Sequence, residues 1–171
     1  MILCAVTAKS LMFAHALTFL ILPFVVLWAK RQERRILRKG SRLNTQQLAD
    51  AARVGVEDAD RVRILFVKQV PPRLPGFLRG LAARCGLGPT TTAGMALGYG
   101  IFVRVDQYER RDLLIHELVH TAQYERLGFR RFLRQYLREC LSQGYPCGAL
   151  EAEAIAATRA VGGGADRPSV T

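Results

Sequence analysis

The chain lacks the features that mark several common functional classes. None of its four cysteines (Cys4, Cys85, Cys140, Cys147) forms a Cys-x-x-Cys pair, which excludes a cysteine zinc site. They read as reduced structural thiols; a Cys140–Cys147 bridge is open only to an oxidising compartment. There is no internal repeat. Acidic residues are scarce, 14 against 25 Lys and Arg, giving a net charge of +11. No DNA-binding or RNA-binding signature accompanies that charge, so nucleic acid is not expected as a partner. The basic residues are densest beside an apolar segment, which points instead to a membrane surface.

What is present begins with that apolar segment. From Leu11 to Ala29 there is no Asp, Glu, Lys or Arg. At ~1.5 Å per residue a helix over this run measures about 28 Å, close to the ~30 Å hydrocarbon thickness of a bilayer. Trp28 fits an interfacial anchor. A cleaved signal peptide would carry its charge ahead of the run and a small-residue site behind it. Here only Lys9 precedes the run, and Lys30, Arg31, Arg34, Arg35, Arg38, Lys39 and Arg42 follow. The expectation is an uncleaved single-pass transmembrane helix within residues 1–29, then a basic juxtamembrane segment over 30–42. The basic side should stay in the cytoplasm, which would put the rest of the chain there. His15, the titratable group of this span, reads as a polar residue near the headgroups.

Residues 43–161 read as one α+β domain, and 162–171 as a disordered tail. A helix is expected over Thr45–Val54, with Asn44 as N-cap and Gly55 as stop. Arg61–Val70 reads as a strand, ended by Pro71 and Pro72. A short helix over Phe77–Cys85 follows, then a strand over Thr90–Met95. Gly98–Val105 alternates, with Ile101 and Val103 on one face and Phe102 on the other. After Gly128, the stripe Phe129, Phe132, Leu133, Tyr136, Leu137, Cys140 and Leu141 has helical spacing. Arg130, Arg131, Arg134 and Arg138 fall mostly off it, on a solvated face. Ala149–Val161 is Ala-rich and helical.

The chemistry concentrates in Leu113-Leu114-Ile115-His116-Glu117-Leu118-Val119-His120. On a helix, residues four apart lie one above the other. His116 and His120 can therefore hold one zinc ion, and Glu117 can reach a water at that ion. Two of the chain's three histidines are in this motif. Asp106 and Glu109 read as a capping box ahead of the helix, with Gly128 as its stop. Catalytic zinc takes a third protein ligand. His15 lies in the apolar run, and position 126 is Arg126, so a metzincin pattern is excluded. Downstream carboxylates remain, and Glu151-Ala152-Glu153-Ala154 is the foremost candidate. Glu151 and Glu153 are ~200° apart on a helix, so only one of them can join the ion.

His116-Glu117-x-x-His120 with a later glutamate on a following helix resembles the gluzincin branch of zinc metallopeptidases. The resemblance covers residues 98–158. It implies Glu151 as third ligand; an alternative register selects Glu153. Ile155 stands where such families often have an aspartate. It implies a zincin-like fold, with a short antiparallel sheet beside the motif helix and a glutamate helix, and Tyr99–Val105 as the edge strand that lines up a peptide. Glu117 would be the general base. Tyr124, Tyr145 and Arg104 are candidate oxyanion donors, and Gln123 is placed to orient a ligand. The function this implies is a membrane-anchored zinc metalloprotease acting on a peptide or protein substrate. The alternative is a non-catalytic zinc-binding interaction module at the membrane surface; His120-x-x-Gln123 also resembles small bacterial zincin-like domains.

Overall fold

The computed structural model describes residues 8–71, 75–86, 88 and 92–162. The tail assigned to 162–171 therefore lies almost wholly outside the described residues, as does the side chain of His15.

The chain opens with a long helix, α1 (Ala8–Lys39), that carries Pro23 in its interior. One face of its apolar run packs on the rest of the protein. Leu22, Val25, Ala29 and Ile36 recur at helical spacing and are buried against the chain's own core. Burying each large side chain stabilises the fold by ~1.5–3 kcal/mol. Glu33, on the same face, is buried too: it accepts from the Tyr99 backbone N–H at 3.2 Å and from Lys30 at 2.8 Å. Gly100 makes room for this packing, since a Cβ there would stand 2.8 Å from Ile36 Cδ1. Among the described residues no helix is long and apolar enough to cross a membrane. The expected transmembrane anchor is thereby overturned, and with it the single-pass placement and the orientation drawn from the flanking charges. Hydropathy counts apolar residues; it does not say whether they face lipid or the protein's own core. On the opposite face Phe19, Leu20, Phe24 and Leu27 are exposed.

A four-stranded sheet lies beneath α1. Its strands are β1 (Ser41–Arg42), β2 (Arg63–Val67), β3 (Gly94–Leu97) and β4 (Gly100–Arg104), in the order β1-β2-β4-β3. The outer pairs are antiparallel, but β2 and β4 run parallel, with Ile64 opposite Ile101 and Phe66 opposite Val103. The sheet is thus mixed rather than antiparallel. The edge-strand assignment is also corrected: β4 is central and β3 is the edge. Between β2 and the hairpin β3–β4 comes the short helix α3 (Arg79–Arg84).

The period-two pattern of β4 sorts the core. Phe102 points toward α1 and α5 (Phe129–Gln143), where it joins Leu22, Val25, Leu133 and Leu137. Ile101 and Val103 point the other way, toward α2 (Thr45–Arg53) and α4 (Arg111–Leu127), with Ala51, Val62 and Leu118. Asn44 caps α2 as its sequence suggests, closing a reciprocal box with Gln47. Asp106 does not cap α4. Its carboxylate is taken by Arg104 at 2.6 Å, and the helix starts at Arg111 with no side-chain cap. Gly128 ends α4 with φ of 79°, a conformation suited to glycine. The final helix, α6 (Ala149–Gly162), packs on α4. The arginines at 130, 131, 134 and 138 are exposed on α5.

Candidate metal centre

Two helices bring the site together. α4 presents His116 and His120 one turn apart. α6 crosses α4 and delivers Glu151, which is 3 % exposed. One ligand atom from each of the three side chains lies within 4.8 Å of the others. The two imidazole Nε2 atoms are 3.1 Å apart. Glu151 Oε2 is 3.3 Å from His116 Nε2, and Oε1 is 3.5 Å from His120 Nε2. Glu153 points elsewhere: both its oxygens pair with Arg126 at 2.8 Å.

Hydrogen bonding fixes which nitrogen of His120 is free. The Leu150 carbonyl only accepts, so the group of Gln123 that meets it at 3.0 Å is the NH2. Gln123 therefore turns its oxygen to His120 Nδ1, at 2.8 Å. That nitrogen must be the donor. In the neutral ring, Nε2 is left as a lone pair facing another imidazole and a carboxylate. Glu151 is positioned in turn by Tyr136, whose hydroxyl donates to Oε1 at 2.8 Å. Its other oxygen, Oε2, is buried and makes no hydrogen bond. With His120 neutral, its Nε2 lone pair and the Glu151 carboxylate converge beside His116 Nε2, and such a set fits a cation. Two nitrogens and one carboxylate suit zinc.

Glu117 lies beside the cluster, 5 % exposed. Burial pushes its carboxyl above the usual carboxylate range, against the pull of His120 and His116 and an N–H from the Ala96 backbone. The edge strand β3 passes so close that a Cβ on Gly94 would stand 2.6 Å from Glu117 Oε1. Burial alone would raise the Glu151 carboxyl, but the approach of His116 and His120 and the Tyr136 hydroxyl hold it well below its ordinary value. Burial draws the His120 imidazole down, and the carboxylates of Glu151 and Glu117 more than restore it.

The remaining candidates divide. Tyr145 is half exposed and lines a cavity shared with His116, His120 and Glu151; burial, then the charges of Glu151 and Glu117, push its hydroxyl up to about 12. Tyr124 is buried, with its ring 3.8 Å from that of Phe132. Arg104 bonds to Asp106 and to the Thr92 carbonyl at 3.3 Å. Cys85 and Cys140 are free, buried thiols, so no Cys140–Cys147 bridge forms; Cys147 is disulfide-bonded, which corrects the expectation of four reduced thiols. Sequence reasoning missed Tyr136, Gly94 and Ala96. Tyr136 carried one available signal: it is the one hydroxyl-bearing side chain of the α5 apolar stripe, and a buried hydroxyl needs a partner.

Comparison of the chain with protein-family models, with curated proteins and with solved structures found no match. The gluzincin likeness is therefore carried by His116-Glu117-x-x-His120 and the later glutamate alone.

Proposed function

We propose that this protein is a zinc-dependent metallopeptidase whose centre is His116, His120 and Glu151. The observation that carries the reading is the convergence of His116 Nε2, His120 Nε2 and the Glu151 carboxylate within 4.8 Å of one another. Gln123 holds the Nδ1–H of His120, so the Nε2 lone pair meets a second imidazole and an unsatisfied carboxylate oxygen. Zinc in such a set supplies Lewis acidity and makes water nucleophilic near neutral pH.

The chain's own residues then have distinct tasks. Glu117 accepts a proton from water as the new carbon–oxygen bond forms at the substrate carbonyl. It returns that proton to the amine nitrogen as the carbon–nitrogen bond breaks. Its burial, which raises its proton affinity, suits this shuttle. Tyr145 is the candidate donor to the developing oxyanion, because it lines the cavity and keeps partial exposure. Gln123 and Tyr136 orient His120 and Glu151.

Glu117→Gln tests the reading. It removes the proton acceptor but none of the three ligands. Cleavage of a peptide library should fall by at least ~100-fold, with zinc content unchanged. Unchanged cleavage would contradict the assignment. A wild type that holds zinc but cleaves nothing would point to the non-catalytic zinc module.

A further inference from the structure

Beside the metal centre lies a cavity of about 150 Å³ whose walls include His116, Glu117, His120 and Glu151. The rest of its lining is almost wholly apolar. Trp28 from α1, Leu78 and Ala82 from the α3 region, Leu97 from the edge strand, and Leu133 and Leu137 from α5 contribute. Among the described residues, the charged side chains that line it are those of the site itself.

Resting on the metallopeptidase reading, we propose that this cavity is a specificity pocket for one apolar substrate side chain of leucine or phenylalanine size, held next to the bond that is cut. Two magnitudes set the class. An apolar protein cavity of ~150 Å³ accepts one benzene-sized group, which matches a single leucine or phenylalanine side chain. A charged side chain would lose its hydration with no partner beyond the catalytic groups, which selects against Asp, Glu, Lys and Arg. The position follows from shared walls: a group seated against Leu97 and Leu137 is in the same cavity as Glu117.

The test uses the full-length, zinc-loaded chain and two probes with the same metal-gripping group, acetohydroxamate and 3-phenylpropionohydroxamate. The phenyl probe should bind about 10- to 100-fold more tightly, the gain expected from burying one aromatic side chain. Ala82→Phe fills the cavity from a wall residue outside the catalytic set, and should bring the ratio close to one without weakening acetohydroxamate. Zinc retained with equal affinities for both probes overturns the pocket and leaves the metal centre standing. Absence of zinc overturns the metal centre and the substrate assignment together. Should Ala82→Phe not fold, benzene added to the metal-free wild type replaces it. A raised thermal midpoint supports the pocket, and no change overturns it.

Discussion

At the scale of single residues, the candidate centre depends on side chains that are not themselves ligands. Tyr136 gives Glu151 its one hydrogen bond from a hydroxyl. Replacing Tyr136 with Phe keeps the ring packed on Phe132 but frees the carboxylate to rotate. Zinc affinity, measured by competition with a chelator, should fall by about 10- to 100-fold. A second residue-level prediction concerns stability. Asp50, 1 % exposed, holds Arg111 at the start of α4 through two hydrogen bonds of 2.8 and 2.9 Å. The Arg111 hydrogen bonds keep the Asp50 carboxyl below its ordinary value, despite burial. A depressed folded value means that the pair stabilises the fold above the unfolded Asp value of ~3.9, and that this is lost as pH falls through the folded value. Asp50→Asn should therefore cost about 1–3 kcal/mol at pH 7 in urea unfolding. The gap between mutant and wild type should narrow as pH falls below the unfolded Asp value. A gap that stays constant through that fall would contradict the pairing.

At the scale of elements, α1 decides how the N-terminal third of the chain is understood. Its inner face belongs to the core and its outer face is solvent-exposed, so the two faces should respond differently to substitution. Leu22→Ala should destabilise the fold by about 2–5 kcal/mol. Phe19→Ala, at a position 85 % exposed, should stay within about 0.5 kcal/mol. Equal, negligible effects at both positions would show that α1 does not pack on the domain. The same helix shows why apolar content misled. Leu22, Val25 and Phe24 weigh alike in a hydropathy sum, yet two are buried against α5 and the sheet while Phe24 is exposed. Glu33 held the opposite clue: an acidic residue among arginines, on the buried face, needs a tertiary partner and finds the Tyr99 N–H. The helix starts divide in the same way. The Asn44 box closes with Gln47, whereas Asp106 is captured by Arg104.

At the scale of the whole molecule, two of the candidate ligands were legible and the rest of the site was assembled by the fold. His116 and His120 share a helix, and helical spacing alone puts them on one face. Glu151 is 31 positions past His120 (151 − 120), and its place depends on α6 crossing α4, which no local pattern encodes. The cavity is further from the sequence still. It joins α1, α3, β3 and α5, and none of those contacts is local. The central claim is that these parts converge on one metal ion, and metal content tests it most directly. The purified protein, dialysed against trace zinc and measured by elemental analysis, should carry one zinc per chain. His120→Ala and Glu151→Ala should each lose it, while Glu153→Ala, which breaks only a surface pair with Arg126, should keep it. A wild type without stoichiometric zinc, or a Glu151→Ala variant that retains it, would contradict the account.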